Sequence, residues 1–126
     1  MDNKIKEIRF DCARAKEFFE ESLAYTIGPI DVKNLMEDGE INLLDVRREA
    51  DYAISHIPNA ISIPKDNLAD NLDKLDKNIP TVIYSYNQQC RLSYKAALIL
   101  ADYGYPSIIL EGGFKTWKED FRFAST

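Results

Sequence analysis

Alternating strands and helices along a chain of 126 residues predict an α/β layered domain with a mostly parallel central sheet. Three observations carry this reading. Four short apolar runs of strand length, 41–46, 60–63, 81–84 and 107–110, are separated by helical or turn segments. The runs INLLDV and TVIY place apolar residues at odd and even positions alike, as strands buried on both faces do. Between the last two runs, Leu92 to Tyr103 repeats its apolar residues at helical spacing.

Taken in order, the first segment reads as one helix, with Ile5, Ile8, Cys12, Ala15 and Phe19 on a single face and Cys12 packed on that apolar stripe. Gly28-Pro29 ends it, because glycine accepts a left-handed turn and proline cannot continue a helix. A short helix is expected from Ile30 to Met36, stopping at Asp38-Gly39, followed by the strand Ile41 to Val46. Arg47 to Tyr52 is polar and reads as a turn or short helix. Ala60 to Ile63 is a strand closed by Pro64, and Asp66 to Leu75 reads as a helix with Leu68, Leu72 and Leu75 on one side. Thr81 to Tyr84 is a strand by composition, since β-branched and aromatic residues suit the pleated surface. Leu92 to Tyr103 lines one helical face with Leu92, Ala96, Ile99, Leu100 and Tyr103, and Gly104 is its stop. Ser107 to Leu110 is the next strand. Gly112-Gly113 then turns the chain into a last helix, Phe114 to Asp120, which Trp117 packs on the core. The expected organisation is a helical extension over 1–28 and a single domain over 29–126.

Length and composition narrow the function classes. A chain of this size hides roughly two-thirds of its extended surface on folding and needs no disulfide or metal staple. Sixteen Lys and Arg against 21 Asp and Glu leave a net charge of −5, which argues against nonspecific nucleic-acid binding. Two cysteines and one histidine give neither a disulfide framework nor a zinc-ligand spacing, so no metal is expected. The charged start MDNKIKEIRF is not a signal peptide, and Ala96 to Leu110, interrupted by Asp102 and Pro106, is too short and too polar to span a membrane. A cytoplasmic protein is the expectation.

Ligands of such folds sit outside the carboxyl ends of the strands, where loops feed into helix N-termini. The segment Ser85-Tyr86-Asn87-Gln88-Gln89-Cys90-Arg91 occupies that place, after TVIY and before the clearest helix. A helix N-terminus offers unpaired N–H groups and partial positive charge, and Arg91 adds a full one. A loop curled over that end points its amides inward and holds an anion, with Tyr86, Asn87, Gln88 and Gln89 at its mouth. A thiol there, Cys90, is expected to have a lowered pKa and raised nucleophilicity. The other reading of Cys90 is a small packed residue.

Two parts of the chain resemble the rhodanese-like family. LLDVRREADYAISHIPNAISIP (Leu43 to Pro64) is similar to its first signature, with Asp45-Val46-Arg47 at a strand end and His56-Ile57-Pro58-Asn59-Ala60 in a later turn. TVIYSYNQQCRLSYKAALILADYGYPSIILEGGFKTW (Thr81 to Trp117) is similar to its strand, active loop, helix, strand and Glu-Gly-Gly…Trp ending. The resemblance covers about residues 30 to 120. It implies a three-layer rhodanese-like fold, with a central five-stranded parallel sheet, helices on both faces and an extra N-terminal helix. It implies His56 as a turn residue bonded to backbone; Asp45 and Arg47, at the strand end, read as a buried ion pair with a structural rather than catalytic role. It also implies chemistry: a loop cysteine takes sulfane sulfur from a donor such as thiosulfate and passes it on as a persulfide, with no metal or organic cofactor.

The chain departs from that pattern at Ser85, which stands where the family has its usual cysteine, and a serine hydroxyl forms no persulfide. No histidine lies nearby in sequence to serve it as a base. The spacing from Ser85 to Arg91 is that of the family's phosphatases, and a subset of sulfurtransferase-like members has cysteines at the positions of both Ser85 and Cys90. Three accounts fit: Cys90 carries the chemistry, the domain has lost it, or Ser85 is a replacement made to trap a bound state. The corresponding functions are a sulfurtransferase or sulfane-sulfur carrier using Cys90, and an inactive module that binds an anion or a protein. A phosphatase or arsenate-handling enzyme is the third, weakened by the missing thiol at the first loop position. The expected partners are a small sulfur-containing anion or a thiol acceptor, and a protein partner, but no nucleic acid and no membrane.

Overall fold

The centre of the fold is a set of short strands that must be dry on both faces. The computed structural model describes residues 2–126; Met1, first residue of the expected extension, lies outside the described residues. Five strands, β1 (Thr26–Ile27), β2 (Asn42–Asp45), β3 (Ile61–Ser62), β4 (Thr81–Tyr84) and β5 (Ser107–Leu110), form one parallel sheet in the order β1-β5-β4-β2-β3. Successive residues of a strand point to opposite faces. Leu43, Val82 and Leu110 accordingly join one buried cluster, with Val32, Ile57, Phe114 and Trp117. Their neighbours Leu44, Ile83 and Ile109 join the other, with Leu68, Ala96 and Leu100. Two dry faces explain why these strands read as apolar runs.

Helices accompany the sheet, and those that follow β1 cover its faces. The helices are α1 (Asn3–Phe10), α2 (Cys12–Tyr25), α3 (Pro29–Asp38), α4 (Glu49–Ile54), α5 (Leu92–Asp102) and a short turn α6 (Gly113–Lys115), which runs into a wide π-type turn over Thr116–Asp120. Pro29 opens α3 and Gly39, at φ 68°, closes it. Trp117 is buried as expected, and its indole N–H donates to the Ala124 carbonyl at 2.9 Å.

Several expectations are corrected. The first segment is two helices, because the Asp11 carboxylate accepts the Arg14 N–H and caps a new start. Cys12 is exposed rather than packed, as are Ile5, Ile8 and Phe19. Thr26–Ile27, expected within the helical extension over 1–28, is instead the edge strand beside β5. The segment from Asp66 to Leu75 is not a helix but two 3-10 turns, Lys65–Asn67 and Leu72–Lys74. The Asn71 side chain donates to the Asn67 carbonyl at 2.7 Å there, competing with the helical ladder. Tyr103 lies past the end of α5 and is exposed.

At the carboxyl end of β2 a charged pair is sealed inside the fold. The Arg47 guanidinium binds the Asp45 carboxylate through Nε and Nη2, the latter at 2.8 Å, and Nη2 also donates to the Ser55 carbonyl at 2.7 Å. Asp45 is fully buried and Arg47 nearly so. Removing one partner of such a pair strands the other charge away from water. Asp45→Ala is therefore expected to lower stability by about 3–5 kcal/mol in urea unfolding. Lys16→Ala, which breaks an exposed pair with Glu20, should cost under about 1 kcal/mol.

Candidate functional site

The site stands on the carboxyl end of β4. Tyr84 ends the strand with its ring buried, and its hydroxyl accepts the Ile57 N–H at 3.1 Å. Burial pushes the Tyr84 phenol far above its ordinary range, so it stays a neutral post under the loop. Arg47 sits beside it, its guanidinium carbon 4.4 Å from the Phe114 ring centre and 5.7 Å from those of Tyr84 and Tyr86.

From this floor the segment 85–91 curls over the start of α5. Two turns hold it from outside. The Phe114 and Lys115 N–H groups donate to the carbonyls of Ser85 and Tyr86 at 2.9 and 3.0 Å, and the Gly112 N–H donates to Gln88 Oε1 at 2.6 Å. Gly113, at φ 63°, lets the turn approach this closely: a Cβ there would lie 2.8 Å from the Ser85 carbonyl oxygen. On the other side the Tyr86 hydroxyl donates to Asp51 Oδ2 and accepts the Arg48 N–H at 3.3 Å. The hydrogen bond from Tyr86 is the main reason the Asp51 carboxyl is held below its ordinary range, with Arg48 second.

Asn87 organises the loop from within. Its Oδ1 accepts the N–H groups of Gln89 and Cys90, each at 3.1 Å. Those two amides are thus turned to Asn87. The amides that lower the Cys90 thiol pKa are those of Leu92 and Tyr86. The side chains of Gln88 and Gln89 belong to exposed residues, and so does that of Arg91, at the entrance to α5.

Cys90 itself faces the loop. Its Sγ lies 3.1 Å from the Oγ of Ser85, which is only 1% exposed, while Cys90 is half-buried. Burial pushes the thiol up, but the Ser85 hydroxyl, the Leu92 and Tyr86 amides and the Lys95 charge together bring it below its ordinary value. The Lys95 charge that favours the thiolate lies in the first turn of α5. Lys95 was legible in principle, since a basic residue in the first turn of the helix follows Cys90 at fixed spacing. Asp51 was not, being 35 residues from Tyr86.

The other singled-out residues lie around this cradle. His56 Nδ1 donates to the Tyr52 carbonyl at 2.8 Å, its ring stacks on Tyr52, and its backbone pairs with Thr126. It holds the turn before β3. Among the described residues no group of three His, Cys, Asp or Glu side chains is placed to hold a metal ion. Among them, too, no helix is long and apolar enough to cross a membrane.

The model of the rhodanese-like domain matches residues 29–120. A thiosulfate sulfurtransferase, GlpE of Coxiella burnetii, is 31% identical over 93 residues, which cover 73% of this chain and 85% of that one. An HTH-type transcriptional regulator of Mycobacterium tuberculosis, Rv0324, is 37% identical over 82 residues, 65% of this chain, but the match spans only 36% of the regulator's length. Among solved structures, BH2092 of Bacillus halodurans superposes with a TM-score of 0.84 at 27% identity, over 92% of this chain and 86% of that one. A rhodanese-like domain protein of Staphylococcus aureus gives 0.65 at 30% identity, over 73% and 89%. The paired signatures, the five-stranded parallel sheet and these matches agree, and the chain belongs to the rhodanese-like domain family.

Proposed function

We propose that this protein is a sulfurtransferase or sulfane-sulfur carrier that holds its sulfur on Cys90. The observation that carries the reading is the position of the Cys90 sulfur, inside the loop against Ser85 Oγ at 3.1 Å, rather than in the core beneath α5. A lowered thiol pKa raises the thiolate fraction at a given pH, and the thiolate is the nucleophile of such transfers.

With thiosulfate as donor, the Cys90 thiolate attacks the sulfane sulfur. A Cys90–S–S⁻ persulfide forms, the sulfur–sulfur bond of thiosulfate breaks, and sulfite leaves with the electron pair. An acceptor thiolate or cyanide then attacks the outer sulfur, and Cys90 departs as thiolate. No net oxidant is consumed. The Tyr86 and Leu92 amides and the Lys95 charge stabilise the negative sulfur at both stages, and Arg91 at the mouth favours an anionic donor. The 31% identical sulfurtransferase relative supports thiosulfate as the donor class.

Incubation of the reduced protein with thiosulfate should add one sulfur atom by intact-mass spectrometry, reversed by dithiothreitol and absent in Cys90→Ala. No gain, or an equal gain in Cys90→Ala, would move the assignment to a module that binds an anion or a protein without transferring sulfur.

A further inference from the structure

We infer that Ser85 determines the fate of the sulfur, keeping it on Cys90 as a persulfide until an external thiol collects it. This rests on the assignment of sulfur to Cys90. The buried Ser85 Oγ touches the Cys90 sulfur at 3.1 Å, so whatever group stands at position 85 meets the inner sulfur of a Cys90 persulfide. A thiolate there would attack that inner sulfur, form an 85–90 disulfide and expel hydrosulfide. The sulfane sulfur would be reduced to sulfide and the two thiols oxidised, with atoms and electrons balanced and no outside oxidant. A hydroxyl, with its far higher pKa, cannot follow this path. It donates a hydrogen bond to the negative sulfur instead. Ser85 is a specificity-determining residue: it closes the internal route to sulfide and leaves transfer to an acceptor thiol. The other cysteine, Cys12, is exposed on α2.

The test compares Ser85 and Ser85→Cys proteins, both carrying Cys12→Ser, after loading with inorganic polysulfide and removal of excess reagent. Mass and free sulfide are followed over time. The Ser85 protein should retain its added sulfur. Ser85→Cys should lose it at least about tenfold faster, release one equivalent of sulfide and end two hydrogens lighter than its reduced form. Equal retention without sulfide release, or equally fast discharge from both, overturns the inference while leaving Cys90 as the sulfur site. Failure of the Ser85 protein to take sulfur at Cys90 overturns both.

An independent observation concerns α1 and α2. No residue of either helix is buried, yet Phe10, Phe18, Phe19, Leu23 and Tyr25 are all exposed. Helices of 8 and 14 residues have little stability without a packed face. Their charge is segregated: residues 3–16 carry five basic and two acidic side chains, and residues 17–25 carry three acidic and no basic ones. Two copies laid antiparallel set basic on acidic at both ends, the self-complementary pattern of a two-fold interface. The geometry points to a second copy of this chain as the occupant, each α1 lying on the acidic end of the other's α2. A groove of about 510 Å³ between Tyr25 and the α5 residues Tyr94 and Leu98 continues the same surface.

Sedimentation of the full chain should show a dimer, weakened at least about tenfold in Lys4→Glu/Lys6→Glu and in Glu20→Lys/Glu21→Lys. An equimolar mixture of the two variants should pair again. A monomer at about 100 μM would overturn the proposal. So would unchanged dimers in both variants, or a monomer that sediments instead with anionic phosphatidylserine vesicles.

Discussion

The buried pair of Asp45 and Arg47 is the constraint on which the site depends. Both charges are sealed from water, so each must be satisfied by protein groups, and the satisfaction is geometric. The Arg47 N–H and its side chain both return to Asp45, two residues before it, which fixes the turn off β2. The guanidinium Nη2, already bonded to Asp45, also donates to the Ser55 carbonyl at the end of α4. Its faces meet Tyr84, Tyr86 and Phe114, which belong to the strand, the loop and the turn that pins the loop. One cation thereby ties the end of α4, the end of β4, the loop and the turn after β5 together. Burial works against the Arg47 charge, but its hydrogen bonds to Asp45 and the Asp45 charge outweigh that cost and raise its pKa, so the guanidinium stays charged.

Above that floor, the loop's polar groups divide into two sets. Asn87 and Gln88 are spent on the loop's own shape and on Gly112. Ser85, the amides of Tyr86 and Leu92 and the charge of Lys95 are spent on the Cys90 sulfur. The division explains how a loop lacking a thiol at its first position can still hold one of lowered pKa at its sixth. The Ser85 hydroxyl becomes part of the thiolate's surroundings.

Much of the fold was legible because burial on two faces leaves a strong mark. Thr81–Tyr84 and Ser107–Leu110 are strands with the boundaries read from composition, and the helix beginning at Leu92 differs by one residue at its end. The misreadings have local causes. Two residues, Thr26 and Ile27, carry no periodicity, and their strand exists only through pairing with Ile109 and Leu110. Leu68, Leu72 and Leu75 have helical spacing, but Asp and Asn between them favour turns. Asp11 carried a capping signal that the apolar stripe obscured, and Cys12 was assigned to a core that does not exist there. In the site, the loop and its cysteine were visible as a strand-to-helix junction. The direction of the thiol and the hold of Asp51 on Tyr86 come from tertiary contacts and leave no mark in sequence.

The most direct measurement of this account is the pH dependence of Cys90 alkylation by iodoacetamide, made on Cys12→Ser protein. A thiol whose folded pKa is depressed keeps its reactivity as pH falls below the ordinary thiol range. The account predicts a midpoint below that range, moved upward in Ser85→Ala. A midpoint at or above the ordinary thiol value, unchanged by Ser85→Ala, would contradict it.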